Sequence, residues 1–329
     1  METEPKNPGA IPGAGLAGTP GADSGTAEGF RSGIVAVVGR ANVGKSSLVN
    51  ALLGEKVSIV SPVPQTTRHM IRGILNDPRG QLVLLDTPGI HRSSNDMGRL
   101  MNRTARRSAE GVDVAMLVVD GTARPEIEDE GWMRRLLREH GAPNCMVVVN
   151  KRDQGAAYDV TYRTMWARVA AELSLPADSA WVSVSALTGE GMKELSDDLF
   201  RRLPVHPALF PDNVLSDFPR KLHIADVIRE KLFLRLHDEL PHRVAVWVEE
   251  LQEEPGPDWH VRAVIYIERE SQKGIIIGFK GRLLRAVRRG SEAELKAAYD
   301  RTVHVELHVK VEPNWTKNFW FMKKLGLDL

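Results

Sequence analysis

Short apolar runs rich in β-branched residues alternate with longer helix-patterned stretches over residues 32–204. This alternation is typical of a mixed, mostly parallel sheet with helices on both faces, so we predict an α/β domain there. In open sheets of this kind, ligands bind beyond the carboxyl ends of the strands. The residues to inspect therefore follow the runs 34–38, 82–85, 114–119, 146–149 and 181–184.

The pattern changes after a proline-rich stretch that breaks regular structure and indicates a linker over residues 205–219. Beyond it, apolar positions first recur with helical spacing and then alternate as in strands. We predict a second, α+β domain over residues 220–329 that ends in a short helix. Its other elements are a helix over 222–237, strands over 244–248, 261–267 and 303–311, and helical segments over 281–300.

Residues 1–31 are rich in Gly, Ala, Pro and Thr and show no apolar periodicity, so we predict a flexible tail. They contain neither the basic start nor the continuous apolar stretch of a secretory signal. No later stretch reaches the roughly 20 apolar residues that span a bilayer. We expect a soluble protein, with peripheral membrane contact left open.

Composition narrows the class of protein but not its function. The chain of 329 residues is 42% hydrophobic and 26% charged, as ordinary globular proteins are. A formal net charge of +1 excludes a uniformly basic nucleic-acid coat, although it permits a basic patch opposed by an acidic surface. The single cysteine, Cys145, lies in an apolar run, so we predict that it is a core residue. One cysteine cannot form a disulfide within the chain, which fits a reducing cytosol.

A glycine-rich segment lies between the first apolar run and a helical pattern, which is the context of a phosphate-binding loop rather than of a chance glycine turn. Backbone N–H groups and the positive end of the next helix would surround the phosphates. Lys45 would neutralise the outer phosphate oxygens, and the Ser46 hydroxyl would bind Mg²⁺. The predicted contact residues are Gly39, Arg40, Ala41, Asn42, Val43, Gly44, Lys45, Ser46 and Ser47.

Three further segments complete the nucleotide site. Asp86-Thr87-Pro88-Gly89, followed by Ile90, comes after the second run, where an aspartate can hold Mg²⁺ and a glycine N–H can sense the terminal phosphate.

The segment Asn150-Lys151-Arg152-Asp153 follows the fourth run, and its carboxylate can accept both donors on the Watson–Crick edge of guanine. Adenine does not have this donor pair, so the predicted nucleotide is GTP or GDP. Ser185-Ala186, after the last run, would add a backbone contact to the guanine oxygen.

The four motifs in this order resemble the translation-factor-related GTPases. By that resemblance, residues 65–69 form the first switch, and Thr67 closes onto Mg²⁺ beside Ser46 and Asp86 when GTP is bound. Ile90 stands where many GTPases carry the glutamine that orients the attacking water, so hydrolysis should be slow. Asn42 matches an asparagine that binds K⁺ in a subset of these GTPases, where the cation neutralises transition-state charge. The predicted catalytic group is Lys45, Asn42, Thr67 and Gly89.

A Gly-x-x-Gly loop precedes a basic run in the second domain. Two glycines permit a tight turn that approaches a nucleic-acid backbone closely, as in KH domains. No acidic residue occurs between positions 278 and 290, so a positive groove should result. The predicted RNA contacts are Ile277, Gly278, Phe279, Lys280, Gly281, Arg282, Arg285 and Arg288.

A GTPase with Gln65-Thr66-Thr67-Arg68-His69 joined to such a domain resembles the Era family, and the resemblance covers nearly everything after the tail. It implies a type II KH domain, binding to the single-stranded 3′ end of 16S rRNA, and a role in assembly and maturation of the 30S subunit. It also implies a monomer in the cytoplasm, with peripheral association at the inner membrane as an option. Further matching segments are 228–232, 238–242, 267–270 and 321–326.

Two rival functions remain open at this point. The second domain could bind a protein or a membrane surface, in which case the basic face is electrostatic decoration, and salt-dependent RNA affinity separates these cases. Alternatively the chain could act chemically on RNA, but its C-terminal half contains no cysteine and no obvious nucleophile and base. His304 and His308 fall on one strand face, where solvent exposure is the simpler interpretation than metal binding.

Overall fold

The computed structural model describes residues Ile11–Pro12, 29–91, 96–253, 256 and 258–327. Its strands are β1 (Ile11–Pro12), β2 (Arg31–Val38), β3 (Ile71–Asp77), β4 (Gly80–Asp86), β5 (Val114–Asp120), β6 (Cys145–Asn150), β7 (Ala180–Ser183), β8 (Val214–Ser216), β9 (Ala245–Gln252), β10 (Trp259–Ile267) and β11 (Val303–Val311). Its helices are α1 (Lys45–Leu53), α2 (Asp96–Arg107), α3 (Ile127–His140), α4 (Asp159–Glu172), α5 (Met192–Arg202), α6 (Arg220–Phe233), α7 (Glu270–Ile277), α8 (Arg282–Tyr299) and α9 (Phe319–Lys324).

The first domain is built on one sheet with the strand order β1-β8-β3-β4-β2-β5-β6-β7. Strands β4, β2, β5, β6 and β7 are parallel, while β3 runs antiparallel to β4. Apolar side chains of α1 and α5 pack on one face, and those of α3 and α4 pack on the other. Both faces are buried because the central strands are almost uniformly apolar. The predicted mixed, mostly parallel α/β fold is confirmed.

The edge of this sheet differs from the sequence interpretation. Strand β3 was not predicted, because Ile71–Asp77 mixes apolar and polar residues without a clean alternation. Strand β8 lies inside the proposed linker 205–219 and hydrogen-bonds to β3 near Ser216, so the prolines there do not exclude regular structure. Ile11–Pro12 pairs with β8, and Arg31 already begins β2. Residues 1–10 and 13–28 of the predicted tail lie outside the described residues.

The second domain has a three-stranded sheet with the order β11-β10-β9. Strand β10 is parallel to β11 and antiparallel to β9. Helices α6 and α8 bury their apolar faces on one side of this sheet. Helix α7 precedes the turn at 278–281, and α8 occupies nearly the whole helical span predicted from the sequence. The α+β KH architecture is confirmed.

The face of the small sheet opposite α6 and α8 packs against residues of both domains. Met97 and Met101 from α2 join Tyr266, Trp315 and Phe321 in one apolar cluster. The Trp315 side chain is fully buried and donates its ring N–H to the carbonyl of Arg243 at 3.0 Å. The two domains are therefore packed together through a shared core as well as joined by the chain. Within the described residues, every helix is too short or too polar to cross a bilayer.

This shared core generates a stability prediction. Trp315→Ala should cost about 3–5 kcal/mol, because it removes a fully buried indole and leaves a cavity. The thermal transition of the C-terminal domain, followed by calorimetry, should fall by about 13–22 °C, since 1 kcal/mol corresponds to about 4 °C in a domain of this size. Trp320 is the matched control, since its side chain is 75% exposed and Trp320→Ala should leave the transition within about 2 °C. Equal shifts in the two variants would contradict this account of the cluster.

Candidate functional site

The phosphate-binding loop lies between β2 and α1, at the carboxyl edge of the sheet. Gly39 has a φ of 146°, and a Cβ there would lie 2.3 Å from the carbonyl oxygen of Val118. Gly44 has a φ of 96°, and a Cβ there would lie 2.2 Å from the side-chain nitrogen of Asn150. Side chains are therefore excluded at both positions, and the loop backbone can face a ligand. The adjoining cleft has a volume of about 350 Å³.

Lys45 begins α1 and lies almost wholly buried beneath this loop. Its ammonium donates to the carbonyls of Gly39 at 3.2 Å and Arg40 at 2.7 Å. Burial lowers its pKa to about 8, with the Asp86 and Asp129 carboxylates opposing that shift. A bound phosphate group would add negative charge here and favour the charged ammonium.

Arg40 contributes to the loop through its backbone and not through its guanidinium. The guanidinium forms an ion pair with Glu126 and lies 3.6 Å from Asp129, both near the start of α3. The prediction of Arg40 as a phosphate contact is thereby limited to its main chain. The Val43 side chain is also buried, so only its main chain is available to a nucleotide.

Three oxygen-bearing side chains converge beside Lys45. The Ser46 and Thr67 hydroxyl oxygens are 2.8 Å apart. Asp86 is fully buried, and neither carboxylate oxygen has a hydrogen-bond partner in the described part of the chain. Burial raises the pKa of Asp86 above its ordinary value, although the nearby Ser46 and Ser58 hydroxyls and the Lys45 ammonium oppose that. A hard cation suits this oxygen donor set, so these residues fit Mg²⁺.

The segment after Asp86 closes against the phosphate-binding loop. The Thr87 hydroxyl donates to the carbonyl of Val37 at 2.8 Å. A Cβ on Gly89 would lie 2.6 Å from Ala41 Cα and 2.9 Å from Lys45 Nζ. Gly89 is therefore the residue type that allows this close approach. Ile90 exchanges backbone hydrogen bonds with Gly39 and Ala41 at 3.3 and 3.2 Å, and its side chain joins the apolar core.

The segment 150–153, which is predicted to bind guanine, is held by hydrogen bonds to the phosphate loop and to residues 185–186. Asn150 donates to the carbonyl of Val43 at 2.9 Å and accepts from the Ala186 N–H at 3.1 Å. The Ser185 hydroxyl donates to Asp153 at 2.5 Å. Asn150 therefore ties the base segment to the phosphate loop, while Ser185 orients the exposed Asp153 carboxylate.

Asp120 is a site residue that the sequence analysis did not identify. It ends β5, and its carboxylate lies 2.5 Å from the Lys151 ammonium. Burial opposes ionisation of Asp120, yet hydrogen bonds from Lys151 and Thr122 bring its pKa below the ordinary value. The position at the carboxyl end of a strand was the available signal, because Asp120 follows an apolar run as Asp86 does.

The predicted first switch, residues 65–69, contacts both domains. Asn42 donates to the carbonyl of Pro62 at 3.2 Å and so connects the phosphate loop to the chain just before this segment. Arg68 and His69 are almost completely buried. The Arg68 guanidinium donates to the carbonyls of Val244 at 2.9 Å and Pro241 at 3.3 Å, both in the second domain. The sequence analysis placed both residues in the first switch and did not predict their burial.

The Gly-x-x-Gly turn lies between α7 and α8. Gly278 and Gly281 have φ values of 73° and 74°, and Lys280 between them also has a positive φ of 49°. Phe279 is 71% exposed, so its ring does not pack against the neighbouring helix. The Lys280 and Arg282 charges each lie 5.5 Å from the centre of that ring. An exposed aromatic ring flanked by cations is suited to stacking on a base beside a phosphate.

The predicted basic face extends along α8. Arg282, Arg285 and Arg288 are exposed, and half-buried Ile277 ends α7 beside them. Arg288 has only a distant pairing with Glu292, at 3.9 Å. In the part of the chain that the structure describes, Arg282 and Arg285 form no ion pair with a carboxylate. Their charges are thus available to an anionic ligand.

The rival sites are less well formed. His304 and His308 are exposed and pair with Asp258 at 3.3 Å and Glu306 at 3.0 Å. Among the described residues, no group of three His, Cys, Asp or Glu side chains is arranged to hold a metal ion.

Two family models match the two domains of the chain. Residues 34–151 match the family model described as 50S ribosome-binding GTPase. Residues 239–316 match the KH domain family. The chain therefore combines a P-loop GTPase domain with a KH domain, which is a common RNA-binding module.

Curated relatives extend the match to nearly the whole chain. GTPase Era of Geotalea uraniireducens is 40% identical over 299 residues, which cover 91% of this chain and 98% of the relative. GTPase Era of Synechocystis is 38% identical over 297 residues, which cover 88% of this chain and 90% of the relative.

Solved structures give the same answer. A crystal structure of Era in complex with MgGDPNP and nucleotides 1506-1542 of 16S ribosomal RNA has a TM-score of 0.82 at 34% identity, covering 91% of this chain and all of that chain. A single-residue variant of Aquifex aeolicus Era bound to GDP.AlF4- has a TM-score of 0.81 at 33% identity, with the same coverage. The resemblance drawn from the sequence is confirmed, and the chain belongs to the Era family of GTPases.

Proposed function

We propose that this GTPase uses its nucleotide state to control binding of the single-stranded 3′ end of 16S rRNA to the KH domain, and so assists assembly and maturation of the 30S subunit. The observation that carries the proposal is the first switch. Its Thr67 hydroxyl lies at Ser46, while the next residue, Arg68, is bound inside the KH domain. A change at the nucleotide therefore has a direct route to the RNA-binding domain.

Ser46, Thr67 and Asp86 are the proposed holders of Mg²⁺. A magnesium ion in this position supplies neutralisation of the charge that develops on the phosphates during transfer to water. Lys45 binds the outer phosphate oxygens, and the Gly89 N–H senses the terminal phosphate. Ile90 packs in the core and provides no group to orient the water, which fits slow hydrolysis.

Asn42 is the proposed K⁺ residue. It adopts a positive φ of 62°, and its side chain already connects the phosphate loop to Pro62, just before the switch. A monovalent cation held here would supply positive charge where the leaving phosphate becomes more negative. The role of Asn42 would be to hold that cation.

Single-stranded RNA is the proposed ligand of the turn 278–281. An exposed Phe279 ring offers stacking to a base, and the exposed arginines of α8 offer neutralisation of phosphates. The resolved complex of a relative with 16S rRNA nucleotides supports this choice. The monomeric state, the 30S association and the peripheral membrane contact rest on the family resemblance alone.

Guanine selection by Asp153 provides the first test. Asp153→Asn should weaken GDP binding by about 100-fold or more, because the new amide cannot accept both donors of guanine. Affinity for xanthosine diphosphate should rise, since its C2 oxygen can accept from that amide. Fluorescent nucleotide titration measures both. Asp159→Asn is the control, because Asp159 pairs with Arg163 outside the cleft and should leave both affinities unchanged.

The potassium proposal predicts that GTP turnover is about tenfold faster in K⁺ than in Na⁺ at equal ionic strength, which corresponds to about 1.4 kcal/mol in the barrier. Phosphate release in steady state measures this ratio. Asn42→Ala should bring the ratio to one. Asn144→Ala, which alters an exposed asparagine bonded to His140, should keep it. Equal rates in the two salts for the unaltered protein would remove the potassium role.

The RNA proposal is tested by fluorescence anisotropy of a labelled RNA that copies the 3′ end of 16S rRNA. We expect tighter binding with a GTP analogue than with GDP, weaker binding in higher salt, and none to a scrambled RNA. Phe279→Asp with Lys280→Asp should lower affinity by at least about 100-fold, because stacking and phosphate contact are both lost. GTP binding should survive in this variant.

Arg301→Asp is the charge control for that experiment, since Arg301 is exposed in the same domain beyond the other end of α8. It should leave RNA affinity within about threefold. Titrations with 30S subunits and with anionic vesicles distinguish the ribosomal target from a membrane. Binding to vesicles without binding to either RNA or subunits would overturn the RNA proposal in favour of the membrane rival.

A further inference from the structure

Four sequence segments match the Era family but have no assigned chemistry, and three of them meet the first switch. The segment 228–232 supplies Arg229 and Glu230, the segment 238–242 supplies the Pro241 carbonyl, and the segment 321–326 supplies the Leu325 carbonyl. All of these groups belong to the second domain, far along the chain from the residues they contact.

The first contact is at the two ends of the loop 60–66. The Glu230 carboxylate accepts from the backbone N–H of Val60 at 2.8 Å. The Arg229 guanidinium donates to the backbone carbonyl of Thr66 at 2.9 Å. Both side chains project from consecutive positions of α6 and are almost wholly buried. The loop is thus held at its beginning and at its end by one turn of one helix.

Thr67 follows the second of these contacts directly. Its hydroxyl is 2.8 Å from the Ser46 hydroxyl, within the donor set that fits Mg²⁺. Because the Thr66 carbonyl is fixed by Arg229, the adjoining peptide has little freedom to carry Thr67 away from Ser46. The position of an oxygen in the nucleotide site therefore depends on a guanidinium in the KH domain.

The contact is reciprocal. Arg68 inserts between the rings of Phe233 and Trp315, with its guanidinium carbon 5.6 Å from each ring centre. A His69 ring nitrogen lies 3.0 Å from the carbonyl oxygen of Leu325. The switch therefore holds the second domain while that domain holds the switch.

From these contacts we infer that Arg229 and Glu230 are positioning residues of the GTPase site, through which the KH domain completes the nucleotide-bound arrangement of Thr67. This inference rests on the proposed function, since it requires Thr67 to act at Mg²⁺. It goes beyond that function because it gives two side chains of α6 a role in supporting GTP hydrolysis. The KH domain is then an internal partner of the switch as well as an RNA-binding module.

The arrangement is suited to opening as well as closing. Asp226 lies 2.9 Å from Arg229 and 3.7 Å from His69, but within the described residues neither of its oxygens has a hydrogen bond of good geometry. The Nε atoms of Arg68 and Arg229 are also buried without a partner there. Water can satisfy such groups once the domains separate, so the contact does not lock the switch permanently.

The test measures GTP turnover, Mg²⁺ dependence and GDP affinity without RNA. Replacing Arg229 alone would leave Asp226 as an uncompensated buried charge, so the first variant is the pair Asp226→Asn with Arg229→Met. The second is Glu230→Leu. In both, kcat should fall about tenfold and the Mg²⁺ concentration for half-maximal turnover should rise about tenfold, while GDP affinity stays within about twofold.

Two controls separate positioning from general damage. Glu230→Gln keeps an oxygen acceptor for the Val60 N–H and should restore kcat to within about threefold of the unaltered protein. Arg220→Met removes an ion pair on the same helix, with Glu253, that does not reach the switch, and it should change neither kcat nor Mg²⁺ dependence.

Wild-type kcat and Mg²⁺ dependence in both test variants would overturn the inference. So would loss of GDP affinity in parallel with kcat in both, because that result indicates damage to the whole nucleotide site. If only the paired variant fails to fold, Glu230→Leu against Glu230→Gln decides. Failure of the RNA proposal is recognised separately, since it would appear as absent RNA binding by the unaltered protein and would leave these turnover data intact.

Discussion

The placement of one short segment, residues 66–69, between two domains is the constraint on which the remaining structure depends. Thr67 faces Ser46 in the nucleotide site, and the next two side chains are buried in the KH domain. Because Thr67 and Arg68 are consecutive residues, one short segment serves both sites without any intervening relay. The apolar cluster of α2 with Trp315 keeps the domains close enough for this arrangement.

The energetics of this contact differ from those of an ordinary core. The apolar cluster gains stability from burial, whereas the charged groups around Asp226 lose hydration and regain only part of it as hydrogen bonds. Burial alone would raise the pKa of Asp226, but Arg229 and His69 hold it below its ordinary value. Inside the closed interface the carboxylate thus stays charged because these partners offset its burial. The free-energy difference between closed and separated domains is therefore smaller for an interface of this composition than for an apolar one. A switch requires such a small difference.

The sequence alone was sufficient to predict the elements that have strong local patterns. The phosphate loop, the base segment and the strand Val303–Val311 were predicted because glycine spacing and apolar runs encode them locally. The interdomain contacts were not, because they join residues more than 160 positions apart, as Arg229 and Thr66 are. Arg68 and His69 look like surface residues in a hydrophilic stretch, and only tertiary packing buries them. Arg40 also looked like a phosphate ligand, but the carboxylates of Glu126, just before α3, and of Asp129, in α3, engage its side chain.

A second connection reaches the RNA-binding face itself. Lys56, between α1 and β3, lies 2.8 Å from both Glu230 on α6 and Glu294 on α8. Helix α8 also carries Arg282, Arg285 and Arg288, so a force on that helix from bound RNA acts on the same carboxylates that neighbour the switch. Coupling between binding sites is reciprocal by thermodynamic necessity. If nucleotide alters RNA affinity through α6, then RNA must alter nucleotide affinity by the same factor, and the short path from α8 through Glu294, Lys56 and Glu230 to Val60 is a physical means of doing so.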